Sequence, residues 1–538
     1  MGKRVVIIYS LMVLGFSLLS LRIAMIISSD KLSQASTAQS SFVLDVGESR
    51  GTIYDRYFAP LTNNKVYNVA AVLPGVEAKN ALLAKISSKD KDTAMKMLDG
   101  GAPFVCPVES PYIYSKGIDV FKLYKRTSDD QLAVHIVGQL DPETGKGSSG
   151  LEYALDEYLR SKGGRISIRY PTNGLRQSLS AGEIVDTGYH DGGGVVTTLD
   201  SDIQALAKKA ARAIPKGSVV VQDCITGDLL AAVSTPSFNP NDLGASLSDP
   251  NAPFVNRSFS AYSVGSTFKL LVAATALEQG FTIDRTFDCK GYIMIGDQRI
   301  NCHKLVGHGV LNMTQALEKS CNPYFISIAM QLGGKDLAYK ASQLGFGAPT
   351  EFLPGYKTKS GNLPSYDQLK LPAATANLGF GQGDLLATPI QMASLVSSIA
   401  NGGKFVNPRL IVGFTDNGSS ISTHTAVYTP QIVFHKAAAD KVKQMMISVV
   451  ENGSGKPAKP EIGGAGGKTA SAQSGQFVDG NEVIQAWFGG FYPADTPRYT
   501  IMVLVEGGDS GTDTACPVFK EICDGIYEIE SRRKGLQQ

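Results

Sequence analysis

Three short groups of residues, in one order along the chain, carry side chains suited to acyl transfer. Ser266-Thr267-Phe268-Lys269 opens an apolar helical run, Leu270 to Leu277, that stops at Gly280. A serine and a lysine three apart on a helix share a face, so the amine can reach the hydroxyl. Ser320-Cys321-Asn322 follows, between a helix-like segment and Pro323, and Lys468-Thr469-Ala470-Ser471 comes third, after the flexible stretch Gly463 to Gly467. Acyl transfer needs a nucleophile, a proton shuttle and an oxyanion site. Ser266 is the candidate nucleophile, and Lys269 must be neutral enough to take its proton. Lys468 supplies a like charge expected to depress the pKa of Lys269. Each group alone says little, because Ser28 with Lys31 and Ser88 with Lys91 also fit S-x-x-K. The ordered combination carries the signal.

A second cluster overlaps the first. Cys289, Cys302, His303, His308 and Cys321 fall within a short stretch, and Cys321 lies inside the S-x-N group itself. Three thiols and an imidazole suit a closed tetrahedral zinc site. A Cys289–Cys302 disulfide and free thiols are the alternative readings, since an extracytoplasmic location would permit the disulfide. Cys106, Cys224, Cys516 and Cys523 stand singly or in apolar surroundings and read as small buried hydrophobes.

These groups need a scaffold, and composition bounds it. The chain has 538 residues, 51 Lys plus Arg against 49 Asp plus Glu, and 43% hydrophobic residues. That balance describes an ordered protein of two or three domains and offers no global charge for binding nucleic acid. Seven cysteines are too few for a disulfide framework at this length. Lys3 and Arg4 precede a run from Val5 to Ile27 that is almost wholly apolar. As a helix it would extend about 34 Å, enough for a bilayer core of roughly 30 Å. The two cations favour a cytoplasmic N-terminus, with the rest of the chain expected outside. No A-x-A-like cleavage site follows, so the expectation is an uncleaved single-pass anchor.

The organisation then reads as an anchor over 1–27, a polar stalk over 28–41, a mixed domain over 42–192, a second domain over 193–530 and a polar tail over 531–538. In the second domain, Val195 to Leu199 reads as a strand and Ser201 to Ile214 as a helix with Ser201 as its N-cap. Ser218 to Gln222 and Leu229 to Ser234 form a hairpin around Thr226-Gly227-Asp228, and Ile484 to Tyr492 and Tyr499 to Glu506 form another. A helical run from Pro517 to Ser531 is expected to pack on that sheet. Strands at both ends with helices between predict an α+β domain around a largely antiparallel sheet.

With these motifs the chain resembles a class B penicillin-binding protein, a membrane-anchored D,D-transpeptidase. Arg50-Gly51-Thr52-Ile53-Tyr54-Asp55-Arg56 is similar to the family's opening pedestal motif, and Gly147 to Tyr158 to its G-x-x-G-L-E segment. Asn256-Arg257, Gly381-Gln382-Gly383 and Thr388 to Ala393 are similar to further family elements. The resemblance implies a penicillin-binding and serine β-lactamase-like transpeptidase domain on a pedestal at 42–192, which would serve dimerisation. It implies cross-linking of peptidoglycan stem peptides through an acyl-enzyme on Ser266, and covalent capture by β-lactams. Ser320 would relay a proton to the leaving amine, Asn322 would orient Lys269 or the substrate backbone, and Lys468 and Thr469 would hold the terminal carboxylate. The backbone N–H groups of Ser266 and Ser471 would form the oxyanion hole.

The family usually reads K-T-G-T, whereas Ala470 stands here in place of the glycine and narrows the space beside an acyl donor. Some elongation-type members carry zinc beside the catalytic serine, and that resemblance selects Cys289, Cys302, His308 and Cys321, with His303 spare. A multi-spanning glycosyltransferase is the implied partner, because 42–192 lacks an acidic glycosyltransferase signature. A β-lactamase is disfavoured, because no E-x-x-L-N-like element lies between Ser320 and Lys468.

Overall fold

The computed structural model describes residues 2–27, 41–172, 181–186, 188–189 and 192–536. The stalk expected over 28–41 lies outside them apart from Ser41, as do the last two residues of the expected tail. Helix α1, Gly2–Ile27, buries no residue, and its most apolar stretch has a mean hydropathy of 2.1, long and apolar enough to cross a membrane.

The chain divides into two compact units. The smaller comprises Met1–Arg50, Asn63–Arg126 and Arg160–Asp191, and the larger Gly51–Thr62, Thr127–Leu159 and Gly192–Gln538. The smaller unit holds two three-stranded sheets, one centred on Arg165–Pro171 and the other on Lys65–Val72. Helices Val76–Leu83 and Lys91–Gly100 give Leu82 and Leu98 to a core with Val72, Phe104 and Ile118.

The larger unit is built on five antiparallel strands: β1 (Gly217–Asp223), β2 (Leu229–Thr235), β3 (Gly466–Val478), β4 (Asn481–Tyr492) and β5 (Tyr499–Glu506), in the order β2-β1-β5-β4-β3. Alternate residues serve opposite faces. Val219, Val221, Ile501 and Val503 join a core with helices α2 (Ser201–Ala210) and α8 (Cys516–Gly535). Val220, Met502 and Leu504 join the core holding α3 (Lys269–Glu278), α5 (Asn322–Leu332), α6 (Pro389–Ala400) and α7 (Lys436–Asn452). Because both faces are covered, these strands read as unbroken apolar runs in the sequence.

Two local readings change. The N-cap of α2 is Asp200, not Ser201: its carboxylate accepts from the N–H groups of Asp202 and Ile203 and is also held by Arg533 at 2.7 and 2.8 Å. Gly466 and Gly467 are not a flexible lead-in but the first residues of β3. A Cβ at either would stand 2.3 Å from the ring of Phe491 or Phe488, so close packing demands glycine there. Two of the longer motifs fasten elements. Asp55 accepts from the N–H groups of Tyr57, Ala59 and Ser201, tying its turn to the start of α2. Thr388 and Gln391 form a capping box that starts α6.

Candidate active site

Ser266 lies in a single tight turn, Gly265–Phe268, that runs directly into α3. Gly265 has φ +57° and donates its N–H to Gly381 O at 2.8 Å; a Cβ there would lie 2.9 Å from that of Ala472 on β3. Glycine therefore lets the turn press against the edge of the sheet. The approach to this turn is tied as well. Trp487 donates to Ser263 O at 2.9 Å, and Tyr262 and Arg257 donate to Glu506 at 2.7 and 2.8 Å.

Lys269 begins α3 and is fully buried. Its amine donates to Ser320 O at 2.8 Å, to Ser320 Oγ at 3.2 Å and to Asn322 Oδ1 at 2.7 Å. Lys468, on β3 and equally buried, donates to the same Ser320 Oγ at 3.0 Å and to Thr469 O at 2.8 Å. Two amines thus converge on one hydroxyl. Burial lowers the Lys269 pKa to about 7, while nearby thiols oppose the shift. Burial, and then the charge of Lys269, lower that of Lys468. The expected like-charge effect therefore falls on Lys468, and desolvation is the main cause at Lys269.

Ser320 sits where α4 (Met313–Glu318) gives way to α5, with φ +52°, in the left-handed region that serine rarely adopts. Cys321 is the extended N-cap of α5, and Pro323 follows in the first turn. This sharp joint sends Ser320 and Asn322 toward the lysines. Ser266, Ser320, Asn322, Thr469, Ala470 and Ser471 line one cavity of about 260 Å³. Among the described residues Ser266 Oγ has no hydrogen-bond partner; the direct contact with Lys269 expected from helical spacing is not made, and the Lys269 amine donates to Ser320 and Asn322 instead.

The family model described as penicillin binding protein transpeptidase domain matches residues 217–524. The chain belongs to the class B penicillin-binding proteins. Stage V sporulation protein D of Bacillus subtilis is 28% identical over 71% of this chain and 61% of its own length. Peptidoglycan D,D-transpeptidase MrdA of Acinetobacter baumannii is 29% identical over 64% of this chain and 55% of its own length. These matches span less than two thirds of either relative. A solved protein described under structural coordination of polymerization and crosslinking by a peptidoglycan synthase complex shares the fold, with TM-score 0.70 and 23% identity over 97% of this chain and 98% of that one.

In this penicillin-binding protein Cys289, Cys302, His308 and Cys321 form a tight group whose ligand atoms all lie within 4.8 Å of one another, a set able to hold a metal ion. His308 Nδ1 is 3.6 Å from both Cys289 Sγ and Cys302 Sγ, and all seven cysteines are free thiols, so the Cys289–Cys302 disulfide is absent. The Cys321 thiol bonds to Cys302 and holds it far below the usual thiol range, while its own pKa rises. The group draws on Phe287–Cys289, the loop after Gln298–Asn301 and the cap of α5.

Four cavity residues lie outside the motifs: His303, Lys319, Ser454 and Thr512. Ser454 Oγ and Thr469 Oγ1 are 2.6 Å apart, and Thr512 donates to Ser454 O at 3.1 Å. His303 is the spare histidine of the thiol cluster, and only adjacency to Ser320 marks Lys319. Nothing local marked Ser454 and Thr512, which the fold brings in from the end of α7 and the turn before α8.

Proposed function

We propose that this protein is a peptidoglycan D,D-transpeptidase acting through a serine acyl-enzyme. The observation carrying this reading is the pair of buried lysine amines sharing the Ser320 hydroxyl in the cavity that holds Ser266. Ser266 Oγ attacks the carbonyl carbon of the penultimate D-alanine. Its proton passes to neutral Lys269, the peptide C–N bond breaks, and the terminal D-alanine leaves with a proton relayed through Ser320. The amine of a second stem peptide then attacks the ester, restores an amide and frees Ser266. Asn322 orients Lys269, Thr469 and Lys468 hold the terminal carboxylate, and the N–H groups of Ser266 and Ser471 receive the oxyanion. Ala470 borders the acyl donor. The edge position of β3 supports this reading, because an extended peptide can align along the outer edge of a strand paired on one side only.

A β-lactam would meet the same serine and remain as a stable ester. Labelled penicillin should therefore acylate the wild-type protein and leave Ser266→Ala unlabelled; normal labelling of the variant overturns the assignment.

Cys289, Cys302, His308 and Cys321 fit zinc. A tetrahedral ion with ordinary bond lengths sets sulfur and nitrogen about 3.6 Å apart, which is the spacing of His308 Nδ1 from Cys289 and Cys302. Zinc there would brace the segment presenting Ser320 and Asn322. Helix α1 would anchor the protein in the bacterial cell membrane with Lys3 and Arg4 cytoplasmic and the catalytic unit outside. A multi-spanning glycosyltransferase of the same complex would polymerise the glycan, a partnership supported by the synthase complex that shares this fold.

A further inference from the structure

The cavity around Ser266 carries charge of one sign only. Its lining includes Lys319 and His303 and no carboxylate. Lys319 is exposed, stands immediately before Ser320, and its amine has no partner among the described residues. The neighbouring acid, Glu318, is engaged elsewhere: it accepts from Ser448 on α7, and its carbonyl accepts from the Ser454 N–H at 3.1 Å. His303 follows Cys302 and reaches the cavity from the thiol-rich loop. In the transpeptidase reading the terminal carboxylate of the donor goes to Thr469, with Lys468 buried behind it, which leaves the Lys319 cation without a task on the cavity wall.

We propose that Lys319, flanked by His303, forms a subsite for a second carboxylate of the stem peptide, the side-chain carboxylate of the residue preceding D-Ala-D-Ala. This rests on the transpeptidase reading of the same cavity. An ammonium in a half-open cleft recognises such a group by a charge-assisted hydrogen bond, and amidation of the carboxylate removes the charge while keeping the shape. The site thereby distinguishes free from amidated peptides.

Two exchange assays with the full chain test it. In the donor arm, synthetic peptides ending in D-Ala-D-Ala carry a free or amidated side-chain carboxylate and react with a fixed D-amino acid. In the acceptor arm the donor is fixed, and the free or amidated group is on the acceptor. The wild-type protein should favour the free carboxylate by about fivefold in kcat/KM in one arm, the size expected of one partly screened ion pair, and that arm identifies the strand bound. Lys319→Met should bring the ratio to about one while penicillin still labels Ser266, and Lys319→Arg should restore it. Equal use of both peptides by the wild type, or a preference that survives Lys319→Met, overturns the subsite. Failure of penicillin to label the wild type would instead overturn the transpeptidase reading, and the subsite with it.

Discussion

Ser320 and Cys321 are consecutive residues whose side chains belong to different clusters. Ser320 Oγ takes hydrogen bonds from Lys468 and Lys269 at 3.0 and 3.2 Å, while Cys321 Sγ lies with Cys289, Cys302 and His308. The left-handed backbone at Ser320 followed by an extended Cys321 produces this divergence. A non-glycine residue held in that region costs about 1–3 kcal/mol and persists only when its surroundings fix it. A metal on the thiol cluster would supply such a restraint. Purified protein should contain one zinc per chain by elemental analysis. Its removal by a chelator, or Cys321→Ser, should lower the thermal midpoint and slow penicillin acylation by roughly tenfold. Metal-free protein with unaltered acylation and melting would exclude that coupling.

The pKa of Lys269 makes a separate prediction about rate. Burial lowers it from 10.5 to about 7, so the amine is protonated and unable to accept the Ser266 proton below that pH, and competent above it. The second-order acylation rate constant should rise about tenfold per pH unit below the inflection and level off above it. Lys269→Arg keeps a permanent charge in a site that needs a neutral base, and should abolish acylation. A flat profile, or an inflection at an ordinary lysine value, would remove Lys269 from the role of base.

Much of this architecture is legible because it is local. The runs at Val219 to Val221 and Ile501 to Val505 announce strands, and Thr226-Gly227-Asp228 announces the turn that joins the first pair. The three motifs name the polar groups of the cavity for the same reason. Distant partners were not legible. Gly466 and Gly467 look like a loose linker until Phe488 and Phe491 fold back across them. Arg257 and Glu506, 249 positions apart, carry no mutual mark in the sequence. The resemblance offers Asn322 as a partner of Lys269, but helical spacing within the Ser266–Lys269 motif points to Ser266 and cannot reveal the second chain segment that brings Ser320 and Asn322 to the amine.

The Arg257 pair should matter for stability and rate together. Arg257 is 3% exposed and donates to Glu506, Ala252 O and Asn251 O; Glu506 also accepts from Tyr262, whose strand leads into the Ser266 turn. Removing one partner of a fully buried ion pair costs about 3–5 kcal/mol; here Glu506 is 16% exposed and keeps Tyr262 and Lys216, so the loss of Arg257 should fall below that range. Arg257→Ala should still unfold at lower denaturant concentration. Glu506→Gln keeps the size and part of the bonding, so it should cost less, yet still slow acylation by loosening Tyr262. Glu506→Gln with full stability and full rate would mean that this knot does not position the nucleophile.

Ala470 offers the finest test of fit. It is 4% exposed, lies on the edge strand β3 and lines the cavity one residue before Ser471. One methyl group on the wall of a binding site is worth about 1–3 kcal/mol of discrimination, so Ala470→Gly should raise the β-lactam acylation rate constant by roughly tenfold. The same change costs the strand about 0.5–1 kcal/mol of stability, because glycine surrenders more conformational freedom on folding. The two effects have opposite signs and are read by different measurements, stopped-flow acylation and denaturant unfolding. A faster and slightly less stable variant identifies the methyl as a steric filter on the acyl donor. A variant that loses stability without gaining rate shows that the donor passes Ala470 unhindered.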